Sequence, residues 1–510
     1  MKELLLGIDI GTSGCKVTVI DFGGRIVDSA FGEIASAHPW PGWSEQAPED
    51  WFDIAARLLR EIFEGGRCAP GQIAALSLDG STHNAALVDQ DFRPIRPAIM
   101  WTDQRSVRQA ADLEREAGDF IFQTAYQRPT ATWTLPQLVW IAETEPQSIG
   151  RTAHILFTKD YVRYRLTGTW ETDHIEAQGS LLYDMAKRAW SDELCRLAGI
   201  SASVLPPLVD PTAVVGRVTR DAAGATGLLE GTPVVAGCSD SAVEDYAAGA
   251  IRPGQMILKM ATAGNVNVMT GEPHPHPRTL TYGHVMPGMW YTVVATNTAS
   301  SAERWFRDVF CEHDAELAAE AGRAAYEVMH ESARAIPAGA EGLFFHPYLL
   351  GERAPYWDAN LRGSFVGATM RHGKAHFIRA LLEGIVFSLR DCFRTVQEMG
   401  LVVDEIRLIG GGAKSELCAQ IASDIFGRPI LRPAGCDASF GAALLAGVGI
   451  GVFKNEEEAV VRCTRVRDKF TPRPESARMY ERLFPLYCRI HDDLAGTYAE
   501  LAKVMEGDSR

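Results

Sequence analysis

Two short turns of small residues, about half a chain apart, carry the clearest chemical signal in this sequence. The first, at residues 11–14, follows Asp9, and the second, at residues 261–264, follows Lys259. Each lies between an apolar strand pattern and an alternating one, and residue 9 falls on residue 259, which indicates an internal repeat. Glycine and small hydroxyl residues at such turns expose backbone N–H groups that bind anions. The pair predicts two similar domains that hold a polyphosphate from opposite sides.

A third glycine-rich turn offers a place for a nucleoside. A strand pattern at residues 407–409 runs into Gly-Gly-Gly-Ala-Lys-Ser at 410–415, and a helix pattern follows at Glu416–Phe426. Glycines allow close approach to the backbone, and the start of a helix favours negative charge. The turn therefore predicts a nucleotide contact in the same half as the second phosphate turn, with a tight strand-to-helix connection as the alternative.

Two aspartates stand where phosphoryl transfer needs a carboxylate. Asp9 adjoins the first turn, and a carboxylate repels a polyphosphate unless a divalent cation lies between them. We therefore predict Mg²⁺ at Asp9, with a turn-capping role as the alternative. Asp240 follows a buried strand pattern at residues 232–237, the kind of strand end at which reacting groups collect in α/β sheets. It is suited to accept a proton from a substrate hydroxyl, or alternatively to cap the next helix.

Two other phosphate-binding motifs are excluded. The nearest match to a Walker A motif, at residues 367–375, has one residue too many between its glycines and no hydroxyl after Lys374. No Gly-x-Gly-x-x-Gly string follows the first strand with an acidic residue about 20 positions later, so a Rossmann dinucleotide site is not expected.

The elements that must position these groups alternate between strands and helices, which is an α/β pattern. A meander with a turn at Phe22-Gly23-Gly24 is predicted from strand patterns at residues 4–10, 15–21 and 25–30. Pro48 opens a helix pattern at 51–63, and an apolar strand pattern follows at 73–78. The segment at 102–210 is mostly helical in pattern and is predicted to be an insertion.

From about residue 251 the chain repeats this scheme. The second half is predicted to contain a hairpin, helices near 301–335 and 375–399, a strand at 406–409 and a buried helix with its exit turn at 440–453. We place the domain division at 248–252. The predicted domains are residues 1–249 and 250–500, followed by a frayed tail at 501–510.

Composition narrows the classes of function. Of 510 residues, 46% are apolar and 23% charged, as in ordinary globular proteins, and the length predicts two or three domains. The net charge of −15 argues against a nucleic-acid partner. The ten cysteines are scattered without a Cys-x-x-Cys pair, which favours a reducing, cytoplasmic compartment over structural zinc or disulfides. The longest apolar run, at 440–453, is too short to span a membrane, so no membrane partner is expected.

These motifs, taken in order over residues 3–500, resemble those of the FGGY carbohydrate kinases, in the superfamily of actin and the heat-shock chaperone ATPases. The strings at 9–16 and 101–105 resemble the first phosphate motif and the family's Trp-x-Asp-x-Arg string near the sugar. Asp240 with Gly249 resembles the catalytic aspartate motif. The strings at 363–367 and 410–415 resemble the C-terminal signature and the adenosine motif. The resemblance implies a two-domain actin-like (ribonuclease H-like) sugar kinase fold with a cleft between the domains, and a homodimer.

Within the family the chain is most similar to the xylulokinases, through strings at 42–46, 97–101, 159–161 and 351–355. His83 falls where xylulokinases place a sugar-contacting histidine. The chain departs from their usual Gln-Met-His-Gly at 81–84, from an asparagine at Ser241, from Gly-Thr-Ser-Gly at 261–264, and from the family's lysine at Gln137. A pocket that reads hydroxyls discriminates strongly, so L-xylulose, ribulose, erythritol and gluconate stay open beside D-xylulose.

The resemblance implies ATP-dependent, Mg²⁺-assisted phosphorylation of a small sugar or polyol, with D-xylulose to D-xylulose 5-phosphate as the leading reaction. It implies that Asp240 is the catalytic base and that Asp9 positions the metal, in an N-terminal domain that binds sugar and phosphate. The implied substrate contacts are Ser81, Thr82, His83, Trp101, Asp103 and Ser241. The implied ATP contacts are Gly11, Thr12, Ser13, Lys16, Thr262, Gly264, Gly410, Gly411, Gly412, Ala413 and Ser415, the last seven in a C-terminal ATP-binding domain.

Two other classes of function remain as hypotheses. A non-catalytic, nucleotide-dependent sugar sensor on the same fold is disfavoured because it has little chemical need for Asp240 and the sugar-side strings. A polyphosphate-hydrolysing enzyme would turn over ATP independently of any sugar.

Overall fold

Two β-sheets of the same design form the framework of the protein. The computed structural model describes residues 2–507. The N-terminal sheet has six strands: β1 Leu4–Ile10, β2 Gly14–Asp21, β3 Ile26–Glu33, β4 Ile73–Gly80, β5 Val214–Arg217 and β6 Pro233–Ser239. They lie in the order β5-β6-β4-β1-β2-β3.

The C-terminal sheet has seven strands. They are β7 Gln255–Met260, β8 Gly264–Thr270, β9 Leu280–Gly283, β10 Trp290–Ala295, β11 Glu405–Ile409, β12 Ile430–Pro433 and β13 Val466–Phe470. Their order is β9-β10-β8-β7-β11-β12-β13.

The shared strand order confirms the predicted internal repeat. In the first sheet β1 pairs antiparallel with β2 and parallel with β4, and in the second β7 pairs antiparallel with β8 and parallel with β11. The outer strands follow the same pattern, with β9 as an added edge strand. Asp9 and Lys259 are each the second-to-last residue of the equivalent strands β1 and β7.

Helices cover the N-terminal sheet and build the insertion. They are α1 Pro48–Glu64, α2 Val107–Ala125, α3 Thr134–Thr144, α4 Pro146–Arg151, α5 Thr158–Thr167, α6 His174–Gln178, α7 Asp192–Leu197, α8 Arg220–Thr226 and α9 Asp240–Ala247. Helix α1 begins with Pro48 in its first turn, as predicted, because proline is favoured where no N–H is needed. Its buried face, which includes Trp51 and Leu58, packs on the sheet.

The segment at 102–210 is mostly helical, as predicted. Two short strand pairs lie within it, Thr172–Asp173 with Leu208–Val209 and Tyr183–Asp184 with Ala189–Trp190. A third pair joins it to the preceding chain, Ala85–Val88 with His154–Phe157, and a fourth lies before it, Glu45–Gln46 with Ala98–Ile99. The pair formed by Glu45–Gln46 and Ala98–Ile99 orders the segment that leads to Trp101.

The C-terminal half carries eight helices among the described residues. They are α10 Ser300–Phe310, α11 Glu312–Glu320, α12 Ala325–Arg334, α13 Lys374–Glu398, α14 Glu416–Phe426, α15 Ala438–Gly449, α16 Glu456–Cys463 and α17 Pro474–Gly507. The strand pair Phe344–His346 and Ser364–Val366 lies between α12 and α13. The predicted helices near 301–335, 375–399 and 416–426 are confirmed, the first as three separate helices.

Helices α9 and α15 each reach from one half of the chain to the other. A Cβ on Gly7 of β1 would lie 1.8 Å from the Ser439 carbonyl oxygen, so α15 touches the N-terminal sheet at a position that admits only glycine. In return, Asp245 of α9 accepts a hydrogen bond of 2.9 Å from Asn267 Nδ2 of β8. A Cβ on Gly441 would lie 2.5 Å from Val243, so the two helices also pack against each other. One hydrophobic core consequently runs through both halves.

The predicted domain division falls between α9 and β7, at the change from one sheet to the other. Of the predicted tail, residues 501–507 lie in α17, and residues 508–510 lie outside the described residues. Within residues 2–507, none of the helices combines the length and the apolar character needed to cross a bilayer.

Candidate active site

The first phosphate hairpin, residues 11–14 between β1 and β2, is tied down through its carbonyl oxygens. Gly11 N–H donates to the Gly14 carbonyl at 2.9 Å, and Gln46 Nε2 donates to the Thr12 carbonyl at 2.7 Å. Ile34 N–H donates to the Ser13 carbonyl at 3.0 Å. These bonds occupy the carbonyl oxygens of Thr12, Ser13 and Gly14. An anion that reaches the turn would therefore meet its remaining N–H and hydroxyl groups.

The second hairpin, residues 261–264 between β7 and β8, is held against the start of α10. Ser300 N–H donates to the Ala261 carbonyl at 2.8 Å, and Ser301 Oγ donates to the Thr262 carbonyl at 2.7 Å. A Cβ on Gly264 would lie 2.8 Å from a methyl group of Leu389, so the turn fits closely on α13. The Thr262 side chain is exposed at the tip.

The glycine-rich turn at 410–415 packs directly on the second hairpin. Gly410 has a φ of 87°, and a Cβ there would lie 2.6 Å from the Met260 carbonyl oxygen. Gly411 is exposed, whereas Gly412 and Ala413 are buried. Ser415 Oγ accepts from Cys418 N–H at 3.3 Å and so caps α14. The structure therefore brings two of the three predicted nucleotide turns into contact.

Asp240 is the first residue of α9 and is part-buried in the cleft. Its Oδ1 accepts from Ser241 N–H at 2.7 Å and from Ser241 Oγ at 3.3 Å. Burial raises the pKa of Asp240, while the ammonium group of Lys259 and the bonds from Ser241 act in the opposite direction. Asp240 is therefore a carboxylate under two opposing influences, as expected of a proton acceptor.

Asp9 lies beside a second buried carboxylate, Asp79 of β4, that sequence reasoning missed. The parallel register of β1 and β4 sets the two residues side by side. Burial and then the charge of Asp240 raise the pKa of Asp9 to about 7. Both carboxyl oxygens of Asp79 are buried with no partner apart from the Asp9 carboxyl, and burial, followed by the charge of Asp9, raises the pKa of Asp79 well above its ordinary value.

This pair of carboxyl groups fits a Mg²⁺ ion that keeps most of its ligands as water and phosphate oxygen. Among residues 2–507, no group of three or more histidine, cysteine or acidic side chains is arranged to hold a metal without other ligands. One or two carboxylates with outside oxygens are the usual protein contribution to Mg²⁺ in phosphoryl transfer.

Lys16 of β2 forms an ion pair with Asp437, the residue that caps α15. Asp437 Oδ1 accepts from Phe440 N–H at 3.0 Å and from Ser439 Oγ at 2.7 Å. The lysine predicted to meet ATP is thus attached to the helix that crosses from the C-terminal half.

The predicted sugar-side residues 81–83 follow β4 and share one wall of the cleft. His83 has a left-handed backbone, with φ of 74°, and its Nδ1 bonds the Gly179 carbonyl. Its ring meets Trp133 edge to face, with centroids 4.5 Å apart. Burial lowers the pKa of His83 to about 4, so the ring is neutral at pH 7. With Nδ1 as the donor to a carbonyl, Nε2 is left as an acceptor.

Asn84 connects the sugar-side residues to one another. Its Nδ2 donates to Ser81 Oγ at 2.9 Å, and its Oδ1 accepts from Trp101 N–H at 2.6 Å. Trp101 Nε1 in turn donates to Thr12 Oγ1 at 2.7 Å. We call the predicted sugar contacts, residues 81–83, Trp101, Asp103 and Ser241, the sugar wall. This wall is therefore bonded to the first phosphate hairpin through Trp101.

Asp103 differs from the other predicted sugar contacts because its oxygens already have partners. Arg105 Nε and N–H donate to Oδ1 at 2.9 and 2.8 Å, and Arg105 Nη2 donates to Oδ2 at 2.8 Å. Ser44 N–H also donates to Oδ2, at 2.5 Å. With this many donors on two buried oxygens, the side chain serves to hold the loop at 42–46 against the segment that carries Trp101.

Comparison with known proteins shows the family to which the chain belongs. Residues 4–245 match the N-terminal domain, and residues 258–450 the C-terminal domain, of the FGGY family of carbohydrate kinases. The chain is 33% identical to a xylulose kinase of Bacillus subtilis, over 96% of this chain and 97% of the relative.

Solved structures give the same fold with two different substrates in their descriptions. A ligand-bound xylulose kinase from Lactobacillus acidophilus matches with a TM-score of 0.88 and 26% identity, over 98% of this chain and 99% of that one. A gluconate kinase from Lactobacillus acidophilus matches with a TM-score of 0.89 and 25% identity, over the same shares of 98% and 99%. The expected two-domain actin-like sugar kinase fold is thereby confirmed.

Proposed function

We propose, from the premise that this chain belongs to the FGGY family of carbohydrate kinases and is an ATP-dependent sugar kinase, that its substrate is D-xylulose and its product D-xylulose 5-phosphate. The observation that carries the proposal is Asp240 at the start of α9, in a cleft with two phosphate hairpins and the His83 wall. Both the family and the activities of its relatives, a xylulose kinase and a gluconate kinase, support a neutral sugar or an aldonate as acceptor.

The character of the sugar wall favours a neutral ketose over gluconate. The six residues proposed to form it carry no positive charge at pH 7, because His83 is neutral and the others are serine, threonine, tryptophan or aspartate. Asp240, the proposed base, adds a negative charge when it is ionised. An aldonate carboxylate would meet repulsion there, whereas hydroxyl groups find both acceptors and donors.

The proposed sugar contacts act through hydrogen bonds of fixed direction. His83 Nε2 accepts from a substrate hydroxyl, because its Nδ1 is committed to the Gly179 carbonyl. Trp101 closes the wall, while Ser81, Thr82 and Ser241 offer hydroxyl groups that donate or accept. Asp103 is proposed to act without touching the sugar, by holding the loop at 42–46 beside Trp101.

In the proposed reaction Asp240 accepts the proton of the attacking hydroxyl as the phosphoryl group is transferred. The bonds from Ser241 fix the orientation of its carboxylate and keep one oxygen, Oδ2, available for that proton. Lys259 favours the ionised form that accepts it.

The nucleotide is proposed to lie along the three turns. Gly11, Thr12, Ser13 and Lys16 face its phosphates from one side, and Thr262 and Gly264 from the other. Its adenosine lies against Gly410, Gly411, Gly412, Ala413 and Ser415. Asp9, with Asp79 behind it, would hold Mg²⁺. When bound, Mg²⁺ offsets the negative charge that builds up on the transferring group.

A coupled ADP-release assay over a panel of ketopentoses, polyols and aldonates tests this proposal. We expect D-xylulose to give the highest kcat/KM, and Asp240→Asn to fold normally with turnover reduced at least about a hundredfold. A preference for L-xylulose, ribulose, erythritol or gluconate would support the kinase activity and overturn D-xylulose as the substrate. Full activity of the variant would remove Asp240 as the base.

The same assay separates the other classes of function. ATP turnover that does not depend on any sugar would indicate a hydrolase. Binding of both ligands, measured by calorimetry, without transfer to any member of the panel would indicate a sensor on the same fold.

A further inference from the structure

Two lysine ion pairs join the halves of the chain. Lys16 of β2, just after the first hairpin, pairs with Asp437 at the start of α15. Lys259 of β7, just before the second hairpin, pairs with Glu244 of α9. In each case a lysine next to a phosphate hairpin of one half holds the helix that crosses from the other half. Only the first of these lysines belongs to a motif that the proposed function uses.

Lys259 is placed to act on the proposed base. Glu244 follows Asp240 by one helical turn, and residues four apart lie on the same face of a helix with about 5–6 Å between their Cβ atoms. The ammonium group bonded to Glu244 is therefore beside Asp240. The side chains of Lys259 and Glu244 are 25% and 17% exposed, so water screens their charges only in part.

The rest of α9 is held without Lys259. Asn267 donates to Asp245, Arg407 Nη1 donates to the Ala248 carbonyl at 2.7 Å, and Tyr246 OH donates to the Glu456 carbonyl at 2.9 Å. A variant without the lysine is thus expected to keep the helix in place. This separates an effect on Asp240 from a loss of folding.

We infer that Lys259, held on α9 by its ion pair with Glu244, is a positioning residue for phosphoryl transfer, whose ammonium group favours the ionised form of the Asp240 carboxylate. The inference rests on the proposed role of Asp240. Lys259 stands at the repeat position of Asp9, so the C-terminal half carries a cation at the place in its sheet where the N-terminal half carries an acid.

The test changes two of the charged or titratable groups around Asp240, Lys259 on β7 and Glu244 on α9. Lys259 lowers the pKa of Asp240, whereas Glu244 raises it. The other groups stay unchanged; they are Asp245 on α9, Asp9 on β1, Asp79 on β4, Glu176 on α6, Tyr282 on β9 and Tyr291 on β10.

The decisive experiment compares the pH dependence of kcat/KM in Lys259→Met and Glu244→Gln. The acid limb reports the base of the free enzyme. Loss of the cation should move this limb to higher pH, by about one unit, and lower kcat about tenfold at pH 6. Loss of the anion should move it to lower pH. A merely structural ion pair would not give shifts of opposite sign.

Lys259→Arg serves as the conservative control and should recover most of the wild-type profile. Melting temperatures of all three variants report folding independently of turnover. Unchanged acid limbs in both neutral variants, or shifts in the same direction, would overturn the inference. Because wild-type activity and the loss in Asp240→Asn are measured in parallel, a failure of Lys259 is distinguishable from a failure of the proposed base.

Discussion

At the scale of residues, Asp79 is a buried acid whose nearest partner is a second acid, Asp9. Two such groups side by side cost free energy unless a proton or a cation compensates for their charge. Its position beside Asp9 is set by β-sheet register and not by a loop, so both carboxyl groups are rigidly held. Such a pair is suited to a hard cation that arrives with ATP.

Replacing Asp79 by asparagine should separate stability from cation binding. We expect Asp79→Asn to bind Mn²⁺, used as a spectroscopic substitute for Mg²⁺, about tenfold more weakly by electron paramagnetic resonance. Its melting temperature should be equal or higher, because one of two buried acidic groups that face each other is removed. Asp91→Asn on the surface is the matched control. Unchanged Mn²⁺ affinity would contradict the role of Asp79.

Sequence reasoning reached Asp9 and not Asp79 for a physical reason. Asp9 stands beside a recognisable turn, so its chemistry follows from its immediate neighbours. Asp79 lies at the end of an apolar strand pattern, and its importance arises only when β4 pairs in register with β1. For the same reason Asp103 is predicted from a motif as a sugar contact, while its bonds to Arg105 become visible only in three dimensions.

At the scale of elements, the contact between α15 and β1 leaves no room for a side chain. The α15 backbone at Ser439 and Ala443 approaches Gly7 too closely for a Cβ atom. Helix α9 makes the reciprocal contact with the C-terminal sheet through Asp245. These two helices therefore fix how the two sheets meet at the base of the cleft.

A single methyl group at Gly7 should disturb this contact. Gly7→Ala is expected to lower the free energy of unfolding by at least about 1–3 kcal/mol, as overpacking does, measured by urea denaturation. Gly224→Ala in α8 is the control, because nothing lies within 4 Å of its Cβ position and alanine favours a helix. Equal stability of the Gly7 variant would show that α15 can move away from β1.

The strands and most helices can be predicted from local sequence, whereas the packing of α15 on the N-terminal sheet cannot. Alternation of apolar residues defines β1 at Leu4–Ile10, and Pro48 marks the start of α1. Nothing in the apolar pattern of α15 tells which sheet it covers. That choice depends on the small residue at Gly7, some 430 positions earlier in the chain.

At the scale of the whole molecule, the sugar wall and the phosphate hairpins form one bonded unit. Trp101 donates to Thr12, and Lys16 reaches Asp437 on the crossing helix. A ligand that orders the wall also orders the first hairpin, so the affinities for sugar and nucleotide are expected to be coupled.

Calorimetry of ADP binding with and without D-xylulose measures this coupling. We expect the sugar to tighten ADP binding about fivefold or more, within the usual range of coupling energies. Thr12→Val, which removes the acceptor of the Trp101 bond, should reduce the factor towards one while leaving the sugar affinity nearly unchanged. Equal ADP affinity with and without sugar in the wild type would contradict the linkage.

The crossing of α15 also has a consequence for how the protein is made. The strand β1 leaves the ribosome roughly 430 residues before the helix that covers it. At synthesis rates of about 5–20 residues per second, the apolar face of that strand waits about 20–90 s for its partner. The nascent N-terminal half is therefore exposed to aggregation during that interval, and the growing chain is a natural client for chaperones until its last hundred residues emerge.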